Sequence, residues 1–284
     1  CYQFLEYLQD YKCENRLLKK LEGWNFIEWS EANQYVEKAD ISYPTNMLYA
    51  RVLESIGRLY GDEGLCREAE ELKEQIIRCA FDGKLFCDGA VWNGTAYVNM
   101  QEISEACQYY AVFCGIAGEE DGRFQQFYKW ILDILGYRRK KQEGYPEIAY
   151  SNLFIGMTLR FECLHRLGRY EQLLEEMKEY YLHMADTTNT LWEHDSPVAS
   201  LNHGLSSVAG ALIIKALTGL VDIDEAEGII TVDESVPDTA EYQISIGLNQ
   251  GKLIVTGRDR KRTVTVYGPY NVRYRQIKKM SGAK

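Results

Sequence analysis

Thr187-Thr-Asn-Thr190-Leu-Trp192-Glu193-His194-Asp-Ser-Pro-Val-Ala-Ser200-Leu-Asn202-His203-Gly204 is the stretch on which the rest of the chain can be organised. Upstream, a helical run ends near Ala185; downstream, a new helix capped near Ser200 or Asn202 carries an apolar run to Leu217, and Gly219 is placed to close it. Between them lies a polar loop, and loops at helix ends are where a helical scaffold displays chemistry. A carboxylate beside an indole, with a histidine ten positions on, supplies a base, a stacking platform and a polar clamp for a sugar. The same composition also fits a plain solvated connection, so the context of the whole chain decides.

Outward from this loop, apolar residues recur at helical spacing. Phe4, Leu5, Leu8, Tyr11, Leu17, Leu18 and Leu21 predict a first helix over 3–22, ended by Gly23. Runs at 43–60 and 65–80 are joined across Gly61 to Gly64, runs at 102–117 and 121–135 across Gly115 to Gly122, and runs at 147–167 and 170–184 at Gly168-Arg169. Each pair reads as an αα-hairpin, and repeated hairpins predict a mainly α toroid or solenoid of about eight helices. Gly23-Trp24-Asn25-Phe26-Ile27-Glu28-Trp29-Ser30, just past a helix end, reads either as a loop facing a pocket or as an aromatic plug.

Beyond Gly219 the pattern changes to alternation. Tyr242, Ile244, Ile246 and Leu248, then Leu253 and Val255, Val264 and Val266, Val272 and Tyr274 alternate with polar residues, separated by turns at 249–251 and 258–262. The expectation is a helical domain over 1–218 followed by a small antiparallel β domain over 219–284, with the basic turn at 258–262 as a solvated hairpin tip.

A net charge of −10 argues against nucleic acid or an anionic membrane as partner. The longest apolar run, around 205–221, is interrupted by Lys215 and is too short to span a bilayer. The eight cysteines show no C-x-x-C pair and no metal spacing, which predicts buried free thiols in a reducing, cytoplasmic setting with no metal and no cofactor. Arg138-Arg139-Lys140-Lys141 is the one strong basic run in the helical part and reads as a solvated loop. Trp92 falls in a short extended connector, and Asn93-Gly94-Thr95 fits a glycosylation triplet of the kind that arises by chance.

Several of these segments together resemble a family. Gly23 to Asn33, Ser151-Asn-Leu-Phe-Ile-Gly-Met-Thr-Leu-Arg160, Tyr180-Tyr-Leu-His-Met-Ala185, and Thr190-Leu-Trp-Glu-His194 with Ala199-Ser-Leu-Asn-His-Gly204 are similar to bacterial α-L-rhamnosidases of glycoside hydrolase family 78. That resemblance implies an (α/α)6 six-hairpin catalytic domain followed by a β-sandwich, and an inverting hydrolysis of terminal α-L-rhamnosides. It assigns the general base to Glu193, sugar packing to Trp24, Trp29 and Trp192, sugar contact to His203 with its neighbour Asn202, and to Glu28 a place in the substrate-binding group behind the contact residues.

The family's general acid lies upstream of the Trp24–Trp29 segment, in a setting the helical residues 1–22 do not provide, and a closed barrel needs twelve helices. Both shortfalls imply an incomplete toroid: the C-terminal part of a longer enzyme, weak or inactive alone, whose partner is the missing N-terminal part of the same barrel. Three alternatives stand beside it: another six-hairpin glycosidase or phosphorylase, a non-catalytic carbohydrate-binding module, and a helical-repeat interaction protein.

Overall fold

The computed structural model describes residues 1–234, 241–259 and 261–275. The chain divides into two compact units, Cys1–Arg160 and Phe161–Lys284. The boundary expected at 218/219 therefore lies inside the second unit, where helix gives way to strand.

The first unit begins with α1 (Tyr2–Gln9), which is far shorter than the expected helix over 3–22. Asn15 accounts for the early stop: its Oδ1 accepts from Cys13 Sγ and Leu17 N, and Cys13 N donates to Leu17 O, so residues 13–17 close a turn of their own. A helix not anticipated, α2 (Glu31–Lys38), follows the aromatic stretch, with the Ser30 hydroxyl accepting from Ala32 N as its cap. After β1 (Ile41–Ser42) come α3 (Tyr43–Tyr60) and α4 (Glu63–Ala80). Gly61 ends α3 in the left-handed region at φ 66°, and Asp62 caps α4 through the N–H groups of Gly64 and Leu65. The two helices approach so closely that a Cβ on Gly57 would meet Cys66 Sγ at 2.7 Å.

A small sheet follows. β1 pairs with β2 (Gly89–Trp92), which pairs with β3 (Tyr97–Asn99), both antiparallel. β4 (Ile103–Ser104) leads into α5 (Glu105–Phe113) and pairs in parallel with β5 (Ile148–Ala149). The run expected over 121–135 forms, but as a 3-10 turn, α6 (Gln125–Lys129) and a π-helical stretch over Trp130–Ile134. α7 (Tyr137–Lys141) carries the basic run, and a second π-helical stretch, Leu153–Met157, precedes α8 (Thr158–Arg166), within which the two units divide.

The basic run is not a solvated loop. Arg139 is buried: its Nε donates to Glu105 Oε1 at 2.9 Å, and one terminal nitrogen donates to the carbonyls of Gly144, Tyr145 and Ile148. Glu105 in turn accepts from Gly136 N at 2.8 Å and Ser151 N at 3.0 Å, so one buried ion pair ties together α5, α7 and the segment leading to the second π stretch.

In the second unit α9 (Tyr170–Thr188) ends at Asn189 in the left-handed region, and α10 (Val208–Thr218) ends at Gly219 in the same conformation. Six strands follow: β6 (Leu220–Asp224), β7 (Ile229–Asp233), β8 (Tyr242–Leu248), β9 (Gly251–Arg258), β10 (Lys261–Tyr267) and β11 (Asn271–Arg275). They form two three-stranded sheets, ordered β10-β9-β8 and β11-β7-β6. Leu220, Ile230 and Val232 from one sheet and Leu253 and Val255 from the other share one buried cluster.

Two expectations need correcting here. The β region is not wholly antiparallel, since β11 runs parallel to β7. The turn at 258–262 is not wholly solvated either: Arg258 and Lys261 are exposed and Arg260 lies outside the described residues, but Arg262 folds inward, donating to Thr218 O at 2.9 Å and to Asp233 O. That arginine joins the end of α10 to the end of the strand Ile229–Asp233, and burial lowers its pKa.

All eight cysteines are free thiols; Cys107, Cys114 and Cys163 are buried, four are half-buried and Cys1 is exposed. Among the described residues no helix is long and apolar enough to cross a membrane, and no group of three His, Cys, Asp or Glu side chains is arranged to hold a metal.

Candidate functional site

The loop after α9 is closed by hydrogen bonds from both main chain and side chains. His203 N donates to Leu191 O at 3.0 Å, Glu193 N donates to Ser200 O at 2.9 Å, and Thr190 Oγ1 donates to Leu201 O. These pairs bring 190–193 alongside 200–203 and push residues 194–199 out as a compact bulge. Neither Ser200 nor Asn202 caps the following helix as expected; His203 occupies that position at the start of the 3-10 turn Gly204–Ser207, without a side-chain cap bond. Asn202 is exposed, its N–H and C=O both turned to the Ser200 hydroxyl.

Within this loop Trp192 is 4% exposed. Its indole N–H donates to Thr188 Oγ1 at 2.8 Å, its carbonyl accepts from Ser206 Oγ at 2.6 Å, and its ring meets His183 edge-on at 5.5 Å. Buried in this way, the Trp192 ring has little surface on which a ligand could stack, and its bonds tie down the main chain next to Glu193. Glu193 itself is half-buried, and among the described residues the donor to its carboxylate is Ser200 N at 3.4 Å. A half-exposed carboxylate with so little hydrogen bonding inside the protein is free to accept from water. His203 is likewise half-buried.

In the first unit Trp24 is 67% and Trp29 40% exposed. Their centroids are 5.6 Å apart, and Phe26 lies 4.9 Å from Trp24 and 4.8 Å from Trp29. Phe154, from the second π stretch, extends the group at 5.8 Å from Phe26. The stretch is therefore an exposed pair of indoles backed by two phenylalanines, an arrangement suited to the apolar face of a sugar ring.

What holds it is the residue between the rings. Glu28 is fully buried, and its Oε1 accepts from Asn152 N at 2.7 Å. Burial pushes its pKa up to about 7, against the pull of hydrogen bonds from the Ser30 side chain and the main-chain N–H groups of 152 and 156. Gly156 is required there, since a Cβ would meet Ser151 Oγ at 2.5 Å and Glu28 Oε1 at 3.1 Å. Ile27 adds two more ties, its N–H to Asn33 Oδ1 and its carbonyl to the Tyr110 hydroxyl.

Sequence reasoning missed Phe154, Asn33 and Tyr110 as supports of this platform. The segment 151–160 had been singled out by its resemblance, but nothing in its composition indicates that its main chain grips Glu28.

Helical hairpins followed by two small β sheets define the class of fold. No protein-family model matches the chain, and no curated protein sequence does. Among solved structures, it superposes with a TM-score of 0.78 on a GH78 family rhamnosidase of Bacillus sp. GL1, at 17% sequence identity. The alignment covers 96% of this chain and 30% of that one, so the chain has the fold of somewhat under a third of the rhamnosidase.

Proposed function

We propose that this chain carries the base half of an inverting glycoside hydrolase acting on terminal α-L-rhamnosides. In this reading Glu193 deprotonates the attacking water, His203 and Asn202 contact the sugar, and the indoles of Trp24 and Trp29 receive the apolar face and methyl group of a 6-deoxyhexose. Trp192 and Glu28 act by positioning, the first through the Glu193 main chain and the second through the ring platform. The helical hairpins then belong to an (α/α)6 toroid and the two sheets to its C-terminal sandwich, with the general acid supplied by a segment outside these residues.

The observation that carries the proposal is the Glu193 carboxylate, half-exposed on a loop closed by hydrogen bonds across its two arms, in a chain with the fold of part of a rhamnosidase. An inverting base needs a fixed carboxylate with room for a water between it and the anomeric carbon.

The test uses 4-nitrophenyl α-L-rhamnoside. The chain alone is expected to give no turnover; joined to the segment that supplies the acid it turns over, and Glu193→Gln lowers kcat by roughly 10²–10⁴. Unchanged kcat in that variant refutes the base assignment. Turnover by the chain alone, abolished by Glu193→Gln, refutes the external acid.

A further inference from the structure

Trp92 has no part in the function just proposed, yet the structure presents it with care. It stands at the end of β2, opposite Tyr97 on β3. The turn between them is fixed by Asn93, whose Oδ1 accepts from Thr95 N, Thr95 Oγ1 and Ala96 N, each at 2.9 Å. Trp92 N donates to Asp40 Oδ2 at 2.6 Å, and Asp40 is paired with Lys20 at 3.3 Å. The indole is nevertheless 48% exposed, and its centroid lies 5.1 Å from that of Tyr97 at 61°. The hairpin thus holds out an aromatic pair in which Trp92 is exposed and Tyr97 half-buried.

The two rings border an open cavity of about 560 Å³, together with Glu14, Asn15, Lys19 and Lys20. That volume is in the range of small-ligand sites. Among the described residues neither Glu14 nor Lys19 has a side-chain hydrogen bond or ion pair, whereas Lys20 is matched by Asp40. The lining is therefore electrically balanced: one unmatched carboxylate, one unmatched ammonium and an indole face. An anionic ligand would confront Glu14, and an apolar one would bury both charges without partners. A neutral polyhydroxylated ring satisfies all three groups, its C–H face on the indole and its hydroxyls shared between carboxylate and ammonium. Lys20 also lines a second cavity of about 450 Å³ that Trp24 borders.

We propose that Trp92, Tyr97, Glu14 and Lys19 form a carbohydrate-binding subsite for a neutral oligosaccharide, distinct from the Trp24–Trp29 platform. It owes nothing to the base assignment and rests on the proposed function only for the choice of one probe.

The experiment follows the tryptophan indole N–H resonances of the full chain, with Trp92 assigned through Trp92→Phe, during titration with a tetrasaccharide of α-linked L-rhamnose and with maltotetraose at millimolar concentration. At least one tetrasaccharide should shift the Trp92 resonance. Trp92→Ala should weaken its binding about tenfold by calorimetry, the value of one stacked ring. Glu14→Gln and Lys19→Met, surface changes that should leave the melting temperature in place, should weaken it several-fold, and Trp29→Ala should leave the Trp92 shift intact. No Trp92 shift with either sugar, or affinity unchanged in both Trp92→Ala and Glu14→Gln, overturns the subsite. Shifts confined to Trp24 and Trp29 also overturn it while supporting the platform. A Trp92 shift in this chain, together with hydrolysis by the joined protein that ignores Glu193→Gln, upholds the subsite and refutes the base.

Discussion

Glu28→Gln isolates what holds the aromatic platform. The carboxyl is fully buried, and burial raises its pKa from an ordinary value near 4.5 to about 7. Below about pH 4.5 the acid is protonated both folded and unfolded, and its full contribution to stability is present. Between about 4.5 and 7 the folded chain keeps a proton that the unfolded chain has lost, so stability falls as pH rises. Above about 7 both states are ionised and the loss is complete, amounting to about 3 kcal/mol. Glutamine cannot ionise, and it retains the oxygen that accepts from Asn152 N at 2.7 Å.

The variant should therefore match the parent in acid and exceed it by about 3 kcal/mol above about pH 8. The assay is urea unfolding of both proteins across that range. The comparison must be a difference between the two, because Asp88, also fully buried and raised to about 7, titrates in the same window and tilts both curves alike. A difference that stays constant with pH, or a carbon-detected titration placing the Glu28 carboxyl below about 5, refutes the account of a proton held by burial.

Glu105→Ala should be the most damaging single change considered. It strands the buried Arg139 guanidinium and leaves the N–H groups of Gly136 and Ser151 without their acceptor. About 3–5 kcal/mol should be lost in urea unfolding. Gly156→Ala should cost about 1–3 kcal/mol, because its methyl would press on Ser151 and on the Glu28 oxygen that grips the same turn. Quenching of Trp24 and Trp29 fluorescence by acrylamide should rise in that variant, and an unchanged quenching profile counts against the coupling of turn to platform.

The parts of the fold that could be read ahead were those written in local chemistry. The α3–α4 hairpin announces itself through Gly61 and Asp62, and the β8–β9–β10 meander through alternation broken at 249–251 and 258–262. Where a local side chain competes with the helix, as Asn15 does, apolar periodicity alone runs on too far. α2 was hidden because its Ser30 cap ends an aromatic stretch that draws the eye to the rings. β6 and β7 went unread, and the parallel match of Asn271 with Ile229 is a long-range pairing that no turn residue encodes. The same limit applies to the site. Trp24, Trp29 and Glu193 are visible as residue types in suggestive loops, but the grip of Asn152 on Glu28 spans more than a hundred residues of chain.

One arginine from each of the two basic runs is engaged inside the fold. Arg139 has Glu105 and three main-chain carbonyls; Arg262 has the carbonyls of Thr218 and Asp233. Lys141 of the same basic run lies 4.6 Å over the Tyr137 ring, and Lys20 is paired with Asp40. A phosphorylase needs cations whose donors face a phosphate, and a guanidinium already surrounded by carbonyl oxygens would have to give up those bonds to supply them. With a net charge of −10 the rest of the surface also repels an anion. Under the proposed hydrolysis, water, which needs no cation to approach Glu193, is the nucleophile this charge distribution favours, and a neutral sugar is the ligand the proposal places on the exposed indoles, where no compensating charge is needed.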